Sequence, residues 1–362
     1  MKSLKDYSNE INRCSKCGLC QAVCPLYKIT GNECAVSKGK FVMLEGVIKG
    51  DLTLNKNINK YLEMCLKCGK CTEFCPGGID VCEIFRVAKH EYIQDKFEGK
   101  LVRFLQSENV FERAVSFAEK FHRVNPLPVK KNPKQNILLF KGCANKIMPS
   151  SEKALKQIFE KIPYNLYEEN FKCCGVPYLA SGNLERYEES EVYNSLIINN
   201  SECDAILTDC ASCADVLSKY PNLNKKIMNF SDFIFEKNFK FEYKQSFRVT
   251  FHKPCHLKNY EAIKNILANC KNIDYIEMPE YDECCGFSGQ FAVTNSKLSK
   301  TITNRKIENA LSVNPDIIIT ECPACLLGLK RGLFDAKNPD KKNVKVMNLT
   351  EFLALSDSII TE

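Results

Sequence analysis

The pattern that most limits this chain is Cys14, Cys17, Cys20 and Cys24 followed by Pro25, repeated 51 residues later as Cys65, Cys68, Cys71 and Cys75 followed by Pro76. Both runs read C-x2-C-x2-C-x3-C-P. Three thiols at that spacing wrap a short loop around a cube of iron and sulfide, with backbone N–H groups turned toward it. The fourth cannot reach the same cube and ligates its neighbour. The spacing therefore predicts one four-iron cluster on Cys14, Cys17, Cys20 and Cys75, and a second on Cys65, Cys68, Cys71 and Cys24. Zinc ribbons use two C-x2-C pairs rather than a triple closed by Cys-Pro, so paired zinc sites fit poorly.

The chain holds 22 cysteines, and the polar stretch Met1 to Glu10 has no apolar signal core. A reducing compartment does not keep structural disulfides, so metal or redox chemistry is the default reading. Ten further cysteines form a second repeat. Cys143, Cys173-Cys174-Gly175 and Cys210 with Cys213 are answered by Cys255, Cys284-Cys285-Gly286 and Cys322 with Cys325, at offsets of 111 or 112 residues. Lys141-Gly142-Cys143 matches Lys253-Pro254-Cys255, and the strand-like run ending Thr208-Asp209-Cys210 matches the one ending Thr320-Glu321-Cys322. Such an echo means a duplicated domain. The remaining Cys34, Cys82, Cys203 and Cys270 read as small buried hydrophobes.

Each repeat unit reads as strand, cysteine, helix. Ile137 to Phe140 is a short apolar run, and Leu155, Ile158, Phe159 and Ile162 then recur at helical spacing. Ala205 to Leu207 and Ile317 to Ile319 read as buried strands, each ending at a C-x-x-C that opens an apolar helix, with Pro323 suited to a first helical position. Alternating strands and helices imply parallel sheets, whose ligands sit beyond the carboxyl ends of the strands. Both C-x-x-C pairs fall there, where helix N–H groups push thiols toward thiolate. Adjacent cysteines reach one centre only if it is large or the backbone bends, which Gly175 and Gly286 allow. A thioredoxin-like C-x-x-C leaves three cysteines of each set unexplained, whereas structural zinc accounts for four of the five. His252 and His256 flank Cys255. They either hydrogen-bond backbone and a sulfur or deliver protons to a redox site.

Two C-x2-C-x2-C-x3-C-P motifs followed by two Cys-Cys-Gly domains resemble a family of iron–sulfur proteins. That family includes the iron–sulfur subunit of glycolate oxidase, the C subunit of anaerobic glycerol-3-phosphate dehydrogenase, lactate-utilisation protein A, and the B and D subunits of heterodisulfide reductase. His252-Lys253-Pro254-Cys255-His256-Leu257 and Cys285-Gly286-Phe287-Ser288-Gly289 are similar to its second-domain signatures. In the heterodisulfide reductase B type, five cysteines per domain bind a non-cubane four-iron cluster. By position, the resemblance implies Cys143, Cys173, Cys174, Cys210 and Cys213, then Cys255, Cys284, Cys285, Cys322 and Cys325. It thus implies one or two further iron–sulfur clusters, although other relatives carry zinc or a conventional cluster there.

The expected fold is multidomain: a mainly helical two-cluster ferredoxin domain (1–95), a helical segment with a Pro- and Lys-rich basic linker (96–135), and two α/β Cys-Cys-Gly domains with parallel sheets (136–245 and 246–362). The helical segment is amphipathic and packs on the domains or meets a partner or membrane surface. A formal charge of +7 is mild and spread along the chain, so no nucleic-acid partner is expected. No apolar run spans a bilayer, which places the chain in the cytoplasm or peripherally at the inner face of the membrane. The 16 glycines include neither G-x-G-x-x-G nor a P-loop. Clusters pass single electrons, while oxidising an alcohol removes two together, so a flavin on a partner chain is needed. The expected role is electron transfer from a flavoprotein, oxidising a 2-hydroxy acid such as glycolate or lactate, or glycerol 3-phosphate, to a quinone or other acceptor. The alternatives are disulfide reduction at the Cys-Cys-Gly clusters and a zinc-stabilised docking module.

Overall fold

The computed structural model describes residues 2–94, 96–120, 124–131, 133–336 and 343–360. The chain forms two compact units. One comprises Met1–Ser107, Pro177–Tyr187 and Cys284–Thr303, and the other Glu108–Val176, Glu188–Glu283 and Asn304–Glu362.

The first unit is helical. Short helices Leu19–Ala22 and Pro25–Thr30 follow the first cysteine run, and Lys70–Glu73 lies within the second. The longer Ser37–Lys49 and Val81–Ile93 form its centre, where Phe41 meets Phe85 edge-on at 5.6 Å between ring centroids, among buried Leu44, Leu62 and Ile84. Lys16 and Lys67 have φ near +57°, and Gly18 and Gly69 are also left-handed, at +85° and +79°. The two cysteine loops thus share one backbone path. In the second loop the Lys67 N–H donates to Cys65 Sγ at 3.4 Å, as a backbone lining for an anionic centre requires. The unit is closed by chain from far along the sequence. Buried Lys89 donates to the Ala180 carbonyl at 3.1 Å and to Gln290 Oε1 at 2.7 Å, and His90 Nδ1 meets the Gly182 carbonyl at 2.8 Å.

The second unit holds two sheets. β1 (Asn136–Leu139), β2 (Asn165–Glu168), β3 (Ala205–Thr208) and β4 (Lys226–Asn229) form a parallel sheet in the order β2-β1-β3-β4. β5 (Lys240–His252), β6 (Lys271–Tyr275), β7 (Ile317–Thr320) and β8 (Lys345–Asn348) repeat that order as β6-β5-β7-β8. Duplication is therefore visible in topology as well as in sequence. One strand departs from the parallel pattern: β9 (Ser358–Ile360) runs antiparallel against Lys240–Glu242 of β5. One apolar core serves both sheets, joining Ile137, Leu155 and Phe159 to Val249, Ile319 and Phe352. The apolar stretch after Phe97 is not one helix. It forms Phe97–Leu105, a π-helical turn at Glu108–Glu112, and Arg113–Lys120.

Candidate metal centres

In the first unit two recesses collect the motif cysteines. One is lined by Cys14, Cys17, Cys20 and Cys75, with Cys71 also on its wall. The second is lined by Cys24, Cys65, Cys68 and Cys71. Each Cys-Pro cysteine therefore lies with the triplet of the other run. The chain bends there because Pro25 takes the first position of its helix, with Cys24 as the extended capping residue. Cys82 adds a fifth thiol to the second recess.

The donor chemistry suits an anionic iron–sulfur cluster. Buried Lys40 lines the second recess and is only 1% exposed, with Nζ donating to the Met64 carbonyl at 2.8 Å and lying 5.1 Å from the Phe85 ring centroid. A four-iron cluster with its thiolates is negative, and a buried ammonium offsets that charge. Cys284 belongs to this unit as well. The Cys68 thiol is pushed well above its ordinary range, first by burial and then by the facing charge of Cys284. The Cys-Cys-Gly segment of the second repeat is thus within electrostatic reach of Cys68. Gly286 sits at φ +81°, and a Cβ there would lie 2.8 Å from Ile302 Cβ and 2.9 Å from the Ser299 carbonyl oxygen. Ser299 Oγ and Thr303 Oγ1 donate to the Gly286 and Cys285 carbonyls at 2.9 and 2.8 Å, which sets the bend.

In the second unit the first repeat gathers all five of its cysteines. Cys143 begins the helix Cys143–Ile147 just beyond β1, and its sulfur lies 3.6 Å from that of Cys173. Thiol hydrogen bonds continue from Cys173 to Cys174, Cys174 to Cys213, and Cys213 to Cys210. Cys210 caps the helix Ala211–Leu217 at the end of β3, and Cys322 caps Pro323–Asp335 at the end of β7, with Pro323 in the first turn. The array crosses between the repeats, because Cys210 hydrogen-bonds Cys322, which in turn bonds Cys325. Bonds from Cys173 and then Cys213 bring Cys174 down to about 5, while its bond to Cys173, together with burial, pushes Cys143 well up. A dry array of thiols cannot ionise throughout without a cation, so this donor set suits a metal centre. The five cysteines of the second repeat are divided between the units: Cys284 and Cys285 in the first, and Cys255, Cys322 and Cys325 in the second.

Side chains beyond the cysteines complete the second unit's site. His256 Nδ1 is 2.9 Å from Ser212 Oγ, which lies 3.8 Å from Cys322 Sγ, so an imidazole reaches the array through one hydroxyl. His252 is fully buried at the end of β5. Asp209 and Glu321, each immediately before its C-x-x-C, are also buried. Burial raises Asp209 to about 6 and Glu321 to about 8. The Glu321 carboxyl oxygens accept the Ser231 N–H at 2.8 Å and its hydroxyl at 2.6 Å, while the Glu321 backbone carbonyl accepts the Ala211 N–H at 2.9 Å. These bonds tie the end of β7 to the first repeat. The matched Asp209 and Glu321 were visible in the repeat, but nothing local marked them as buried. Cys203 and Cys270 are buried packing residues, in line with expectation, but Cys82 is not simply one.

Comparison with known proteins places this geometry. Residues 10–79 match the 4Fe-4S dicluster domain, and residues 137–218 and 249–330 each match the cysteine-rich domain. The chain is 26% identical to the B subunit of fumarate reductase (CoM/CoB) of Methanothermobacter marburgensis, over 98% of its own length and 74% of the relative's. It is 22% identical to the probable glycolate oxidase iron–sulfur subunit of Bacillus subtilis, covering 90% and 89%. It is 23% identical to the D subunit of the dihydromethanophenazine:CoB–CoM heterodisulfide reductase of Methanosarcina acetivorans, covering 95% and 93%. A crystal structure of a hypothetical protein from Helicobacter pylori shares the fold, with a TM-score of 0.53 and 11% identity over 98% of this chain and 76% of that one. Among the described residues no helix is long and apolar enough to cross a membrane. The chain belongs to the iron–sulfur proteins that join a 4Fe-4S dicluster domain to a pair of cysteine-rich domains, a family of oxidoreductase subunits.

Proposed function

We propose that this chain is the electron-transfer subunit of a flavin-dependent dehydrogenase complex. The substrate is a 2-hydroxy acid such as glycolate or lactate, or glycerol 3-phosphate, and the electrons leave to a quinone or another acceptor. Cys14, Cys17, Cys20 and Cys75 hold one four-iron cluster, and Cys65, Cys68, Cys71 and Cys24 the other. Cys143, Cys173, Cys174, Cys210 and Cys213 serve at least one further centre, iron–sulfur or zinc. The observation that carries this reading is continuity within the first unit: Cys71 walls both recesses. Iron–sulfur clusters supply one-electron steps, so a partner flavin must split each electron pair. Likeness to the glycolate oxidase subunit over most of both chains supports this assignment.

The test separates partner from chain. Alone, the purified chain should oxidise none of these substrates, even with an artificial dye as acceptor. Addition of the flavoprotein should supply the activity, and this chain should couple it to the natural acceptor. Oxidation by the isolated chain would sink the reading. A second reading rests on the thiol array and its His256–Ser212 contact, which could serve reduction of a disulfide. It requires the isolated chain to reduce a small disulfide with reduced viologen, and Cys285→Ala to abolish that turnover.

A further inference from the structure

The second recess has one thiol more than a cube needs. Cys82 lines it together with Cys24, Cys65, Cys68 and Cys71, and the Cys71 and Cys82 thiols are hydrogen-bonded to one another. The fold fixes this approach. Cys82 is the second residue of Val81–Ile93, whose capping residue Asp80 accepts the Glu83 N–H at 3.1 Å. The Val81 N–H donates to Thr72 Oγ1, also at 3.1 Å, so the helix start is pinned beside the short helix Lys70–Glu73 that carries Cys71. A four-iron cube takes four protein thiolates, one per iron, so one of the five thiols is in excess.

We infer that Cys82 is a reserve ligand for the iron that Cys71 holds, keeping the cluster at four thiolates when Cys71 detaches. The inference rests on the reading that this recess carries a four-iron cluster. The exchange breaks the bond from iron to Cys71 Sγ and makes one to Cys82 Sγ. The Cys82 proton passes to the departing Cys71 thiolate across their existing contact. No electron moves, and no further reactant is needed. Cys82 lies outside both cysteine motifs, and its value is resistance to iron loss rather than a step in turnover.

The test uses the full chain prepared without oxygen, read by iron per chain and by electron paramagnetic resonance of the oxidised protein. Cys71→Ala should keep the iron content of the wild type and show no three-iron signal. Cys71→Ala/Cys82→Ala should lose about one iron and show that signal. A three-iron signal in Cys71→Ala equal to that of the double variant overturns the inference. So does a three-iron signal in Cys82→Ala alone, which would make Cys82 the resident ligand. A wild type that lacks the second cluster overturns the parent reading and this inference together, whereas failure of Cys71→Ala beside an intact wild type overturns the inference alone. Cys82→Ser leaves all eight motif cysteines in place, so it decides the matter even if Cys71→Ala does not fold. With excess chelator it should release iron from this cluster several-fold faster than the wild type. Equal rates overturn the inference.

Discussion

Replacing Asn194 by Ala should loosen the Cys173-Cys174 peptide and destabilise the second unit. Asn194 lies fully buried on the helix Leu184–Asn200. Its Oδ1 accepts the Lys172 N–H at 3.0 Å, and its Nδ2 donates to the Cys173 carbonyl at 3.2 Å. Tyr220 donates its hydroxyl to the Cys174 carbonyl at 2.9 Å, and Asn194 Nδ2 lies 3.4 Å from that hydroxyl. Alanine leaves one buried carbonyl and one partly buried N–H without these partners, at about 1–3 kcal/mol each. The expected cost is therefore about 2–6 kcal/mol, against about 1–3 kcal/mol for Tyr220→Phe, which strands one carbonyl. The two side chains touch, so the double variant should cost less than the sum. Urea midpoints under argon, compared at equal iron content, measure these shifts. Iron per chain at limiting iron measures loading, which should fall further in Asn194→Ala than in Tyr220→Phe. A shift below about 0.5 kcal/mol for Asn194→Ala, the range of an ordinary surface change, would refute the claim that this network holds the cysteine pair.

Gly286→Ala forces a side chain into a left-handed position and against Ile302 and Ser299, for about 2–5 kcal/mol in all. Gly50→Ala, also left-handed at φ +83° but in open space, should cost only about 1 kcal/mol, and equal denaturation midpoints for the two would contradict the contact argument. Cys75→Ser should perturb the cluster bound by Cys14, Cys17 and Cys20 while leaving the Cys65 triplet coordinated, as spectroscopy of the two clusters would show. Coordinates with Cys75 on the Cys65 cluster would end the crossed pairing. Burial raises Glu321 from 4.5 to about 8, so the folded chain keeps a proton that the unfolded chain releases. Its contribution is full below about pH 4.5 and is lost as pH rises through about 8, at about 1.4 kcal/mol per pKa step. Glu321→Gln should flatten stability across that window and raise it at the alkaline end, and unchanged slopes in a pH series of midpoints would refute this.

Local constraints made part of this molecule legible in its sequence. Cysteine spacing encodes how sulfurs group, because loop length limits reach, and the recess linings place Cys75 with Cys14 and Cys24 with Cys65. Offsets of 111 or 112 residues encode a duplicated strand order, since equal apolar runs bury against equal neighbours. Pro323 after Cys322 marks a helix start, because proline's missing N–H costs nothing there. Long-range closure was not legible. Lys89 and His90 look like the polar end of a helix, yet both are buried because Ala180, Gln290 and Gly182 supply partners more than 90 residues away in the sequence. For the same reason Pro177–Tyr187 and Cys284–Thr303 read as interior parts of the repeats but pack in the first unit. Cys82 gave no signal because it stands outside any spacing rule, and its position follows from the Thr72 bond at the helix start. Asn194 reads as an ordinary polar helix residue, and only the folded chain shows which carbonyl it serves. Residues whose placement is set by sequence neighbours were therefore readable, while those whose placement is set by a distant backbone group required the structure.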